Sequence, residues 1–450
     1  MVFIKTMDID RIKAKRYYKT IKLFFIWLVF ILFSTPCCLR FLSVMKFQPT
    51  LYNYWLYGIS DWLINYEGGF VRRGIVGQFL WIVEQIHFYD PRIPILAILI
   101  VSSVLVLFLM VRVFVKNGWS LMILPTGFCL GFIFLNIEGR RDCLSLLLTF
   151  LIFMFYKKLM FQSKNMSLWL AFYILSIIQV LMQEASFFYT FPLLMLCCYM
   201  DMDGQICSMR IKLLKCIVQF SPILLAMLSV CLFKGNENVV HDIWNSWKEV
   251  FVFYASDSSQ SMEIGMGVKA LAWNSSNTFV NHLKWAYLGY NTLSYWNILF
   301  VSFNWMAAYY LVTRLDVVDM GLYPKQRMEY VFMSNVVLLQ FVAMLPMFTF
   351  LSCDWGRTMP YWVVSSLFFY HIFKHNKILF PIPVVRMSEK IQNYISLNKY
   401  FYSPYTYILI ILLAPIPFCF APLDGVTLQG VLRDMIIKKI NLVFSLLYSL

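Results

Sequence analysis

Within fourteen residues, Asp61-Trp62-Leu63-Ile64-Asn65-Tyr66-Glu67-Gly68-Gly69-Phe70-Val71-Arg72-Arg73-Gly74 brings together two carboxylates, a glycine pair and an arginine pair. The guanidiniums of Arg72 and Arg73 are planar forks of N–H donors, a shape that grips a phosphate or pyrophosphate at two points. The glycines permit a tight turn or a close backbone approach, and Asp61 or Glu67 offers a carboxylate that can take a proton as general base. A purely structural use of the same residues has the arginines reaching along a membrane interface while the glycines only make a turn. A second cluster, Glu138-Gly139-Arg140-Arg141-Asp142, sits between apolar stretches in a connection so short that its charges must lie at a membrane edge. It reads equally as an anion site or as a knot of Arg–Asp and Arg–Glu pairs that fixes helix ends. Gln183-Glu184 and Asp354-Trp355-Gly356-Arg357 are weaker groups of the same kind.

The elements that hold these residues are set by composition. With 60% hydrophobic and only 14% charged residues among 450, the chain is too apolar for a soluble domain, where charged residues make up about a quarter. Apolar stretches near the roughly 20 residues needed to cross a bilayer recur at 22–40, 93–115, 119–136, 143–158, 167–183, 186–200, 216–233, 295–313, 329–351, 360–373 and 404–421. The expected fold is therefore all-α, a polytopic transmembrane protein of about eleven spans. Segment 74–88 is apolar but short and carries Glu84, so it is expected to lie in the interface. Residues 1–22 are polar and basic, and the apolar stretch after them runs on to Arg40 without a small-residue cleavage site, which predicts a first span and no cleavable signal peptide. With 1–22 placed in the cytoplasm, 23 of the 38 Lys and Arg residues fall on cytoplasmic segments, although the outer loops 41–92 and 234–294 are the longer ones. The positive-inside rule favours this orientation over its reverse. No repeat or linker divides the chain, so 1–450 is expected to form a single membrane domain, with an amphipathic tail over 422–450 at the outer interface.

In this topology Asp61, Glu67, Arg72, Arg73, Arg140, Arg141, Asp142, Glu184, Asp354 and Arg357 meet at one face, the extracytoplasmic one, although they come from distant parts of the sequence. Ionisable groups gathered at a membrane edge point to a substrate site. Other motifs carry less. Asp201-Met202-Asp203 has the DxD spacing of a metal–nucleotide site but falls in a predicted cytoplasmic loop, where a solvated pair of carboxylates is the simpler reading. The five histidines show no metal-ligand spacing. No cofactor is implied, although a divalent metal bound with a substrate stays compatible with the sequence. The eleven cysteines form no CxxC pair and lie mostly in or beside apolar spans, as small packing residues do. The net charge of +15 is scattered over short connections and makes no stripe of the kind that binds nucleic acid.

A basic N-terminus and first span, a large outer loop with acidic residues, and Gly139-Arg140-x-Asp142 at the head of a later span resemble the GT-C superfamily of polytopic glycosyltransferases. The phrases GGFVRRG, GRRD and DWGR are also similar to membrane proteins of bacterial capsule and O-antigen clusters, where polymerases of the Wzy type act. The similarity covers the layout of about the first 200 residues and these phrases. It departs from the GT-C pattern in that Asp61 and Glu67 lie well beyond the first span, which leaves open which carboxylate is the base. The resemblance implies a multi-pass protein of the bacterial inner membrane. It would transfer sugar from a polyprenyl-phosphate or polyprenyl-pyrophosphate donor to a glycan acceptor at the extracytoplasmic face. Asp61 or Glu67 would then be the general base. Arg72, Arg73, Arg140 and Arg141 would bind the phosphate, with Asp142, Glu184, Asp354 and Arg357 completing the substrate site. Trp244, Trp247, Trp273 and Trp285 would stack on sugar rings. The alternative is a transporter or flippase of the same lipids, which commonly places ionisable sites near mid-membrane and repeats its halves.

Overall fold

The computed structural model describes residues 57–136, 139–201, 209–254, 264–273, 278–281, 283–284, 296–315, 327–352, 355–376 and 378–414. Every regular element among them is helical. In chain order these are α1 (Tyr57–Trp62), α2 (Gly74–Ile86), α3 (Arg92–Asn117), α4 (Gly127–Asn136), α5 (Asp142–Phe161), α6 (Met166–Met182), α7 (Ser186–Asp201) and α8 (Met209–Leu232). Leaving aside the four-residue helices Met266–Lys269 and Lys399–Tyr402, there follow α9 (Glu237–Ser246), α10 (Lys248–Tyr254), α11 (Trp296–Thr313), α12 (Arg327–Ala343), α13 (Trp355–Phe373), α14 (Ile382–Leu397) and α15 (Pro404–Leu413). Among the described residues α3, α5 and α8 are long and apolar enough to cross a membrane. Their outward faces are apolar too, with Val101, Leu105 and Phe108 on α3 and Leu225, Leu228 and Leu232 on α8 all exposed. Such a surface is suited to hydrocarbon, where backbone groups must be satisfied within each helix.

At the centre stands α13, buried at every position from Thr358 to Tyr370. It packs against α4, α5, α7 and α12. The bundle is stitched by polar side chains that find partners inside it. Gln179 of α6 donates to the Ser145 carbonyl at 3.0 Å and to Thr149 at 2.8 Å on α5, and Gln340 of α12 donates to the Tyr189 carbonyl at 2.7 Å and to Ser365 at 2.9 Å. Where apolar packing alone does not fix register, such bonds tie one helix to another.

The helix directions give the bundle two distinct ends. At one, α5, α7 and α13 begin while α6 and α8 finish. At the other, Lys374 after α13 donates to Asn117 Oδ1 at 2.7 Å, Asn117 meets His371 at 2.9 Å, and Lys157 donates to the Ile372 carbonyl at 2.5 Å. Over the first end lies a cap built from the loop after α8. Its own core joins Trp62, Leu63 and Ile64 to Trp244, Trp247, Phe251, Val268 and Leu271. Trp247 donates to the Leu63 carbonyl at 2.8 Å and Asn65 to Ser246 at 2.7 Å, so α1 and the cap fold as one unit.

Several expected spans differ in detail. Stretch 119–136 is a 3-10 turn at Leu121–Ile123 followed by α4, and 329–351 is α12 followed by a π turn at Met347–Leu351. The amphipathic α14 was not evident in the sequence as a span because its apolar face is narrow. It packs on α12 with Ser388, Gln392 and Ile395 buried. Segments 1–22, 22–40 and the tail 422–450 lie outside the described residues, as do Glu138, Asp203, Trp285 and Asp354.

Candidate functional site

The Gly68-Gly69 pair does what its chemistry allows. Gly69 sits at φ +105° in a turn closed by its N–H on the Tyr66 carbonyl at 3.0 Å, and Gly68 lies against the Val239 backbone, where a Cβ would come within 2.7 Å of a carbonyl oxygen. The strand of chain that follows docks on the end of α8, with the Arg72 N–H on the Phe233 carbonyl at 3.2 Å. Arg73 then caps α2 in a left-handed conformation and points into the junction of α1, α6 and α7.

There Arg73 meets Glu184 through the edge of its guanidinium, with Nε 2.9 and 3.1 Å from the two carboxylate oxygens and Nη2 2.5 Å from one of them. Its Nη1 is 3.4 Å from Asp61 Oδ1. Arg72 Nη1 approaches the same Glu184 at 3.5 Å, while its Nη2 donates to the Ala270 carbonyl at 3.2 Å. Burial works to raise the Glu184 carboxyl, but the charge and hydrogen bonds of Arg73, then the charge of Arg72, outweigh it and hold the group well below the usual carboxylate range.

Behind this layer, Arg141 is buried and serves as a bracket. It donates to the carbonyls of Arg73 at 2.9 Å and Met182 at 3.1 Å and to that of Asp61, and its Nε lies 3.3 Å from Asp61 Oδ2. It also sits over the Trp62 ring at 5.3 Å, and Trp62 in turn donates to the Gly139 carbonyl at 2.5 Å. Asp142, fully buried in the first turn of α5, accepts two-point bonding from Arg357 at 2.7 to 3.1 Å, a bond from Tyr361, and one from Gln183 at 3.3 Å. Tyr361 stacks on Tyr189 at 4.4 Å, whose hydroxyl meets Ser145 at 2.5 Å.

These two ion-pair systems flank a cavity of about 490 Å³. Arg72, Arg73, Lys234, Arg357 and Glu184 form its charged wall, and Phe188, Met227, Val230, Met347 and Leu351 an apolar one, with Trp273 at the rim. Among the described residues the five cations Arg72, Arg73, Arg141, Lys234 and Arg357 outnumber the three carboxylates Asp61, Asp142 and Glu184 by two. Two buried polar atoms on the wall, Arg72 Nε and Gln183 Oε1, have no hydrogen-bond partner among the described residues. An excess of fixed donors and positive charge beside an apolar surface suits an amphiphilic anion.

The convergence expected of the charged residues is found for most of them, in unequal roles. Arg72, Arg73, Glu184 and Arg357 line the cavity, whereas Asp61, Arg141 and Asp142 lie behind it as partners and brackets. Arg140 is half-buried and near enough to Asp142 to favour its charge. Glu67 is exposed in the loop, away from the cavity wall. Neither carboxylate expected to act as base therefore faces the cavity. Asp61 is turned inward by its place at the end of the buried α1, and Glu67 outward by the turn at Gly68-Gly69. Two of the expected sugar-stacking tryptophans are also reassigned. Trp244 and Trp247 are 4% and 0% exposed and form the cap's core, while Trp273 is 45% exposed at the cavity rim. Lys234 and Tyr361 were not singled out from the sequence. Lys234 follows an apolar span directly on the face predicted for Arg72, which was a usable signal. Among the described residues no group of three or more His, Cys, Asp or Glu side chains is placed to hold a metal ion.

Comparisons with protein-family models, curated proteins and solved structures give no match.

Proposed function

We propose that the chain is a membrane-embedded glycosyltransferase or polysaccharide polymerase. It uses a polyprenyl-phosphate or polyprenyl-pyrophosphate sugar as donor and a glycan as acceptor, at the extracytoplasmic face of a bacterial inner membrane. About eleven spans and a GT-C-like layout belong to the same reading. The observation that carries it is the pairing, in one cavity, of four cations with an apolar wall on helices whose outer surfaces suit lipid. Arg72, Arg73, Lys234 and Arg357 take the donor phosphate, the apolar wall takes the first prenyl units, and Trp273 offers a face to a sugar. About 490 Å³ is room for a phosphorylated sugar but not for a long prenyl chain, which continues into the bilayer.

In the transfer step the acceptor oxygen bonds to the anomeric carbon and its proton passes to a carboxylate. The bond from that carbon to the phosphate oxygen breaks, leaving its electron pair on the phosphate, where the arginines stabilise the charge. Among the described residues Glu184 is the carboxylate on the cavity wall and takes the role of base, with Asp61 positioning Arg73 and Arg141. The test is purified protein in liposomes supplied with lipid-linked sugar on the outer leaflet and an acceptor. Formation of a new glycosidic bond, lost in Glu184→Gln, is the expected result. Translocation of the lipid with no bond formed would replace the enzyme by a transporter.

A further inference from the structure

We infer that the Glu184 carboxylate occupies the seat of the ligand's phosphate on Arg73 and is exchanged for that phosphate on binding. The inference rests on the reading of the cavity as a phosphate site and adds to it how the site is kept when empty. Two carboxylate oxygens on the Nε–Nη2 edge of a guanidinium make the same planar, two-point contact that a phosphate makes. Glu184 makes it from inside the cavity, with a side chain 20% exposed, so a ligand can reach the contact.

The decisive feature is that Arg73 does not depend on Glu184 for its position. Its Nη1 is held by Asp61, its carbonyl by Arg141, and Arg141 is anchored in turn on the Met182 and Asp61 carbonyls. When Glu184 leaves, the fork stays aimed at the cavity. Glu184 sits on the short turn between α6 and α7, with a side chain more exposed than those of Asp61 and Asp142. A pyrophosphate-linked donor brings two negative charges, one on each phosphate, and more acceptor oxygens than one carboxylate to Arg72 and Arg73. The exchanged carboxylate, relieved of two guanidiniums, becomes a better proton acceptor while donor is bound. The base is thus masked in the empty site and exposed by the substrate.

The test is ligand affinity in the full-length protein, read from tryptophan fluorescence, since Trp273 lines the rim. Inorganic pyrophosphate and farnesyl phosphate are the probes, with farnesol as the uncharged control. Glu184→Gln removes the competitor and should bind both phosphates at least about tenfold tighter than wild type, the worth of one charge-assisted contact. Glu184→Asp, too short to hold the fork at two points, should fall between them and serves if the glutamine variant does not fold. Farnesol affinity should not change. Equal or weaker phosphate binding in the folded variants would overturn the exchange. Tighter pyrophosphate binding, with farnesyl phosphate gaining nothing over pyrophosphate, would keep the exchange and remove the lipid-linked donor. Absence of phosphate binding in wild type and variants alike would remove both.

Discussion

Arg73 is held at φ 66° and ψ 3°, the left-handed region that no other non-glycine residue occupies among those described. For a residue with a Cβ this conformation costs on the order of 1–3 kcal/mol and persists only where surrounding contacts over-determine it. Here both the side chain and the carbonyl are tied, so the strain sits on the one arginine that faces both Glu184 and Asp61. The Glu184 pair has a definite acid signature. Its folded value is depressed below the unfolded carboxyl's roughly 4.3. The pair's stabilising contribution is therefore whole above that pH and is lost as pH falls through the lower folded value. The melting-temperature difference between wild type and Glu184→Gln should be constant from neutral pH down to about 5 and shrink in stronger acid. A difference that grew on acidification would contradict the assigned direction. The Asp142–Arg357 pair is buried more deeply on the acid side, with Asp142 fully enclosed. Arg357→Met should cost about 3–5 kcal/mol, because it strands a buried carboxylate. Adding Asp142→Asn should recover much of that in thermal unfolding, since a neutral amide needs no counter-charge. A double variant no more stable than Arg357→Met alone would show that the two residues are not a unit.

At the scale of elements, the site depends on how closely α2 lies against the chain that precedes it. A Cβ on Gly77 would sit 1.9 Å from the Ile64 carbonyl oxygen and 2.7 Å from that of Trp62, both backbone atoms with no room to move. Gly77→Ala must push α2 away from α1 and carry Arg73 with it. It should cost about 1–3 kcal/mol, as overpacking does, and weaken pyrophosphate binding as strongly as Arg73→Ala, although residue 77 does not line the cavity. Wild-type binding in a folded Gly77→Ala protein would show that α2 does not aim Arg73. The helices themselves were largely legible, because a buried or lipid-facing helix writes itself as a long apolar run, as in α3, α5 and α8. What hydropathy could not give was direction. The sequence names Asp61 and Glu67 as neighbours in one polar loop, and only the packing of Trp62 under Gly139 and the turn at Gly69 sends one inward and the other to solvent. Tyr361 was hidden for the opposite reason. Inside an apolar run it looks like packing, and its role appears only when α13 brings it to Asp142 on a helix more than two hundred residues earlier.

Across the whole molecule the two ends of the bundle differ in how their charges are compensated. At the cavity end, cations are interleaved with Asp61, Asp142 and Glu184. At the opposite end, the partners seen for Lys157 and Lys374 are a backbone carbonyl and an amide, and Arg112, Lys116, Lys157 and Lys374 all act on His371. An excess of Lys and Arg near short connections between apolar helices is what the positive-inside rule expects of a cytoplasmic face. A cavity end that faces outward is the orientation expected from the distribution of Lys and Arg along the sequence. In that orientation the arginines of the cavity end run against the positive-inside bias one by one, and their carboxylate partners offset the conflict by cancelling much of their charge within a few ångströms. Single cysteines placed in a cysteine-free protein should therefore be labelled from outside at positions 67 and 237, and from inside at 164 and 376. These positions lie in turns or at the start of a short helix at opposite ends of the bundle, so labelling does not require the helices to open. Labelling of 67 and 164 from the same side would break the two-ended arrangement, and labelling of all four from the reversed sides would place the cavity in the cytoplasm, where a donor on the outer leaflet could not reach it.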